Sequence, residues 1–208
     1  VDIVKQILMA LNFCHQKGYA HKGITPQHVM VVKLEQEYSY LVKLIGFGHA
    51  QKIGAHKLAP SIITPNNLFT APEADSSQHA EKLDIWGCGV IFLELVCGEH
   101  QFPNFLEQKT EIIGHAVDNQ NLSYREKEVI TDFLTKMLET DPAQRLNAEA
   151  ALKHPLFENL TSGVVFAIEG DGDVEVVAFP RKCPVMQVES NLKSLFSMYA
   201  SVNILSVP

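Results

Sequence analysis

Side chains capable of chemistry gather in a few short stretches of this chain. His21, Lys22 and His28 fall within eight residues; Gly46-Phe47-Gly48 and Ala71-Pro72-Glu73 follow; Asp84, Asp141 and Arg145 come later. Imidazoles at this spacing suit acid–base work or a metal, because histidine titrates near neutral pH and ligates metals readily. No Glu or Cys stands at ligand spacing from His28, so a zinc site does not follow, and His21 reads as a packed core histidine. Glu169-Gly170-Asp171-Gly172-Asp173 alternates carboxylates with glycines, but the later ligands and terminal Glu of a calcium loop are missing. A hairpin turn is the better reading there. Cys14, Cys88, Cys97 and Cys183 lack C-x-x-C spacing, which points to reduced thiols and a cytoplasmic, intracellular protein.

These groups need a frame, and the apolar pattern provides one. Leu83 to Gly98 is apolar on nearly every side, as in a helix buried all round. With Glu94 inside it and about 14 residues of length, it falls short of the ~20 apolar residues a bilayer span requires. Ile3, Ile7, Leu8, Leu11 and Cys14 recur at helical spacing. Pro26 disfavours helix at Thr25. Val29–Val32 and Tyr40–Ile45 read as a small β-hairpin. From Gly46 a long loop runs to Glu73, and loops of such length are usually functional. Residues 105–117 read as a weaker helix and 124–138 as a stronger one, with Ser123 and Glu126 as a capping box. Asn147 caps a helix that ends before Pro155. Val164–Ile168 and Val174–Phe179 form a second hairpin, and 187–205 an amphipathic helix.

The chain has 208 residues, 46% of them apolar, enough for one domain with a true core. Its net charge of −7 argues against nucleic acid as a partner. The first Met is Met9, inside a helical pattern, so a piece of a longer protein is expected.

The order of the motifs says more than any one of them. His21-Lys22-Gly23-Ile24-Thr25-Pro26-Gln27-His28 has the length and framing of the protein-kinase catalytic loop, H-R-D-L-x-x-x-N. Gly46-Phe47-Gly48 stands where kinases carry D-F-G, and Ala71-Pro72-Glu73 matches A-P-E. Asp84-x-Trp86-x-x-Gly89 resembles the start of the large central kinase helix. Asp141-Pro142-x-x-Arg145 and His154-Pro155-Leu156-Phe157 resemble the closing helices of the Ser/Thr branch. The chain thus resembles the protein kinase superfamily over roughly residues 1–158. The fold implied is mainly α (α+β): a kinase-like C-terminal lobe with a small hairpin, catalytic loop 21–28 and activation segment 46–73. Residues 159–208 form an extension. Nothing before residue 1 supplies the Gly-rich loop, strand lysine or helix glutamate, so the N-lobe is expected to be absent from this chain.

Under this resemblance, phosphoryl transfer needs a loop Asp as base, a Lys on the phosphate, and an Asn and an Asp on magnesium. Gly23, Thr25, His28 and Gly46 stand at those positions, and none supplies the usual group. Losing a base alone costs about 10²- to 10⁴-fold. The resemblance also assigns structural roles: His21 and Phe47 to the lower hydrophobic spine, Asp84 to anchoring the catalytic-loop backbone, and Glu73 with Arg145 to a buried ion pair. Val29, Met30 and Val31 would floor a residual adenine pocket. Lys22 lacks the fork of the family's Arg and reads as solvated, or as a partner for a modified Ser61, Thr64 or Thr70.

The expectation that follows is a pseudokinase, an inactive scaffold that binds a protein partner, with ATP and magnesium weak or absent and no resident metal. No nucleic acid or membrane partner is expected. The alternatives are a degenerate serine/threonine kinase with residual ATP-dependent transfer, and a truncated product.

Overall fold

The computed structural model describes residues 1–34, 39–55, 68–74, 79–98 and 102–158, together with the strand backbones at 163–170, 173–180 and 203–206. In chain order its elements are α1 (Asp2–Gln16), β1 (Tyr19–Ala20), β2 (Val29–Leu34), β3 (Ser39–Leu44), β4 (Gln51–Lys52), α2 (Ala80–Cys97), α3 (Phe105–Asp118), α4 (Tyr124–Met137), α5 (Ala148–Leu152), β5 (Gly163–Gly170), β6 (Asp173–Pro180) and β7 (Asn203–Ser206). Short 3₁₀ turns occupy Pro26–His28, Phe47–His49 and Pro155–Phe157.

The core forms around α2 because that helix has no polar face to offer water. Every residue from Leu83 to Glu94 is buried, and α1, α3 and α4 pack against it. The helix begins at Ala80, earlier than its apolar run, and emerges at Leu95, which is 53% exposed; Gly98 follows with φ +71°. α1 gives its Val4, Ile7, Leu8, Leu11 and Cys14 face to the same core. α4 starts on a complete capping box: Ser123 Oγ accepts from Glu126 N, while Glu126 Oε2 accepts from Ser123 N at 2.9 Å. Asn147 caps α5 in the same manner, accepting from Ala150 N at 2.8 Å. α3, the weaker helix of the sequence reading, carries a kink at Gln108.

Two sheets surround the site. β1 pairs with β4 antiparallel, so the segment entering the catalytic-loop stretch is tied to the segment leaving Gly46-Phe47-Gly48. The second sheet has the order β2-β3-β6-β5-β7. β2 and β3 form the hairpin expected from the sequence, with Val29 opposite Leu44. The second hairpin, β5–β6, joins it through Val42↔Ala178. At 203–206 the chain is strand rather than the helix expected over 187–205; the rest of that helix, Cys183, Asp171 and Gly172 lie outside the described residues. Cys14, Cys88 and Cys97 form no disulfide among the described residues. Burial pushes the Cys14 thiol up to about 12, so it stays protonated at neutral pH. Among the described residues no helix is long and apolar enough to cross a membrane.

Candidate functional site

The site is built from the backbone outward. Asp84, fully buried near the start of α2, accepts from His21 N at 2.8 Å and Lys22 N at 2.7 Å. These two amides follow β1 and are inside the protein, where an unpaired donor costs about 1–3 kcal/mol. His15, in the last turn of α1, donates Nε2–H to the same carboxylate at 2.8 Å. The sequence reading missed His15. Its signal is its spacing, four residues beyond Leu11 on the buried stripe of α1.

Lys22 is not the solvated lysine expected from the sequence. It is 4% exposed and holds a left-handed backbone, φ +64°, with Nζ donating to Gln51 Oε1 of β4 at 2.9 Å. The β1–β4 pairing brings that acceptor within reach, and no local pattern announces it. Burial pushes the Lys22 ammonium down from its ordinary value, with Asp84 opposing. Ser61 and Thr64 lie outside the described residues.

His21 is fully buried, as a core histidine should be. Its Nε2–H donates to Ile45 O at 2.9 Å, and its ring meets Phe47 edge-on at 4.5 Å between centroids. Its Nδ1 has no hydrogen-bond partner among the described residues. Burial, the largest cause, pushes the His21 imidazole below its ordinary value, helped by His28 and His49 and opposed by Asp84 and the Ile45 carbonyl. The ring is therefore neutral at physiological pH.

His28, Gly23, Thr25 and Gly46 converge on one place. His28 Nδ1–H donates to Gly23 O at 2.5 Å, with Thr25 Oγ1 at 3.5 Å from the same nitrogen. Gly46 holds φ +80°, and a Cβ built there would lie 2.7 Å from His28 Nε2 and 3.0 Å from its Cγ. The imidazole thus fills the space that a side chain at position 46 would need. The two residues are a matched pair: the ring requires glycine opposite it, and glycine tolerates the left-handed backbone. Gly23 differs, because a Cβ there would meet both histidine rings only at ordinary contact, 3.5 and 3.6 Å. A Mg²⁺ ion takes oxygen ligands, and positions 23, 28 and 46 offer it no carboxylate or amide side chain. In β2, Met30 and Val31 are each 42% exposed, so apolar surface lies open beside this cluster, with Val29 partly buried.

The second half of the site is the Ala71-Pro72-Glu73 stretch and the residues that hold it. Arg145 is fully buried and forks onto Glu73, with Nη1–Oε1 2.5 Å and Nη2–Oε2 2.9 Å. Two further N–H groups are used: Nε donates to Glu139 O at 2.7 Å and Nη1 to Lys82 O at 2.9 Å. Lys82 Nζ in turn donates to Arg145 O. The guanidinium lies 5.0 Å from the Trp86 ring, whose Nε1–H donates to Leu68 O at 2.9 Å. Beside this junction opens a cleft of about 600 Å³, lined by Leu68, Thr70, Trp86, Phe102, Phe105 and Glu107 among others. Thr70 Oγ1 is buried there without a partner among the described residues.

Comparison with known proteins supplies the family. The protein kinase domain model matches residues 1–157. A calcium/calmodulin-dependent protein kinase, cmkA, of Emericella nidulans is 31% identical over 158 residues, 73% of this chain and 37% of that protein. The serine/threonine-protein kinase ULK3 of Xenopus laevis is 27% identical over 221 residues, 96% of this chain and 46% of its own. The chain thus spans less than half the length of these curated relatives. In fold it is similar to the Rad53 kinase domain and SCD2 solved in complex with AMPPNP, with a TM-score of 0.54 and 23% identity over 74% of this chain and 57% of that one. Two expectations are thereby corrected. The non-enzyme expected from the degenerate positions, and with it the expected disuse of ATP and magnesium, is overturned by relatives that are named as protein kinases. The expectation rested on the side chains at 23, 25, 28 and 46, whereas the family match extends over residues 1–157. With its residues 1–157 matched, its central helix anchoring the catalytic-loop backbone and its Glu73–Arg145 pair in place, the chain belongs to the protein kinase domain family.

Proposed function

We propose that the whole protein is a serine/threonine-type protein kinase that uses ATP, and that this chain supplies the large lobe on which the activation segment is docked. The observation that carries the reading is the pair of buried anchors. Asp84 holds the backbone at 21–22, and Arg145 holds Glu73, in a chain whose residues 1–157 match the family. Such anchors position a catalytic loop and the surface on which a protein substrate lies. Positioning and electrostatics are most of what a kinase contributes to phosphoryl transfer. The cleft beside Trp86 and Phe105 supports docking of a segment of a protein partner against the end of the activation segment.

The finer reading is slow turnover. Position 23 has no side chain to accept the hydroxyl proton, and a missing base costs about 10²- to 10⁴-fold. Active kinases run at about 1–100 s⁻¹, so the remaining rate is measurable with radiolabelled ATP. The test uses the longest natural form of the protein, with Mg²⁺ and Mn²⁺ varied, and compares it with the double variant His28→Asn/Gly46→Asp. Slow, metal-dependent transfer to a protein substrate is expected, rising in the double variant because the imidazole no longer occupies the space of the new carboxylate. A correctly folded protein in which neither form transfers phosphate nor melts higher with nucleotide would overturn the reading.

A further inference from the structure

The kinase-domain match ends at residue 157, yet the chain beyond it returns to the matched part. β6 pairs antiparallel with β3 through Val42↔Ala178, Lys43↔Val177 and Leu44↔Val176. β5 lies on the far side of β6, and β7 on the far side of β5, so a two-stranded hairpin becomes a five-stranded sheet. Both β5 and β6 run against α1, and β6 also lies beside the Phe47–His49 turn. β3 is itself held from α1, where Gln6 Oε1 accepts from Val42 N at 3.0 Å in the buried interior. An edge strand exposes unpaired backbone groups and invites pairing. Here the chain's own extension takes that edge.

We propose that β5 and β6, residues 163–170 and 173–180, are a built-in strap: a strand pair that docks on the kinase lobe by strand addition to β3 and steadies the turn at Phe47–His49, from which the activation segment departs. Strand addition draws its affinity from the main chain, so a competing strand can displace the hairpin without matching its side chains. When the strap leaves, the β3 edge opens and the 47–49 turn loses a neighbour. The start of the activation segment loosens as a result. The strap therefore gives the lobe two states, and a partner that offers an extended strand selects the open one.

The test is made on the full chain and needs no activity. Ala178→Pro places a residue without a backbone donor at the end pair of the β3–β6 register, between β3 and β5, and is incompatible with a paired interior strand. Amide hydrogen exchange across residues 41–50 is expected to rise roughly tenfold or more, the size that loss of one or two ladder hydrogen bonds gives, while α2 and α4 keep their protection. A second variant, Val42→Cys/Ala178→Cys, places thiols at directly opposed positions, where strand partners stand about 4.5–5.5 Å apart and a disulfide is allowed. Mild oxidation should link 42 to 178 within one chain, read by peptide mapping, and lower exchange across 41–50 until the bond is reduced. Unchanged exchange in Ala178→Pro would overturn the proposal. So would paired cysteines that stay free, or that link only between two chains.

Discussion

His21 illustrates how one side chain can carry both a packing role and a titration. Its ring is buried against Phe47, and one nitrogen lacks a partner among the described residues. The fold therefore disfavours the charged form, and the imidazole is pushed below its ordinary value, with burial the main cause. In the unfolded chain the same ring takes a proton near pH 6.5. The sign follows from which state binds the proton first. Above about pH 6.5 both states are neutral and His21 adds no pH dependence; as pH falls below that value the unfolded state gains protons that the folded state refuses, and stability drops. Urea melts between pH 7.5 and 5 should show this fall, and His21→Gln should flatten it. At this scale the sequence was only partly legible. The departures at 23, 25, 28 and 46 can be read from the motif, but the fit of His28 into the space beside Gly46 cannot. The two residues meet only when the β2–β3 hairpin closes.

At the scale of elements, the decisive contact is between α2 and the catalytic-loop backbone. A Cβ built on Gly87 would come 3.0 Å from Ile24 Cβ and 3.3 Å from Ile24 C, so the loop lies directly on the helix at that point. Gly87→Ala is expected to push the loop outward and destabilise the protein by about 1–3 kcal/mol, as overpacking does in a close-packed interior. Substitution of the exposed Leu95 by Ala, on the same helix, should change the melt by no more than about 0.5 kcal/mol. Calorimetry on the two variants separates close approach from simple helix propensity, because alanine favours a helix by about 1 kcal/mol over glycine. The helices themselves were legible: an all-round apolar run gives a buried helix, and S-x-x-E gives the cap of α4. The start of α2 at Ala80 was not legible, because Glu81 and Lys82 look like loop until the Lys82 contacts with Arg145 are known. The sheet order was also hidden, since register between distant strands leaves no local trace.

For the molecule as a whole, the Glu73–Arg145 pair joins the Ala71-Pro72-Glu73 stretch to the junction between α4 and α5. The guanidinium is fully buried and faces a carboxylate fork, two carbonyls and the Trp86 ring. Removing one partner of such a pair leaves the other charge uncompensated, which costs about 3–5 kcal/mol. Arg145→Leu should therefore consume a large share of a domain stability of about 5–15 kcal/mol. A denaturant series measures the loss, and a change of less than about 1 kcal/mol, the range of exposed pairs, would mean that Glu73 is not docked in solution. The partial coverage of the curated relatives bears on the same scale. Residues 1–157 carry the family's match, and both the Asp84 anchor and the Glu73–Arg145 pair lie within that range.

Trp86 is the chain's single tryptophan. Its indole is 1% exposed, faces a cation on one side and is fastened by its N–H to the Leu68 carbonyl on the other. Light absorbed there is emitted from a buried, polarised setting to which the Leu68 carbonyl contributes. The protein thus carries its own lamp at the junction of interest. A shift of that emission to longer wavelength reads out the unseating of residues 68–73 directly, in the unlabelled molecule and in real time.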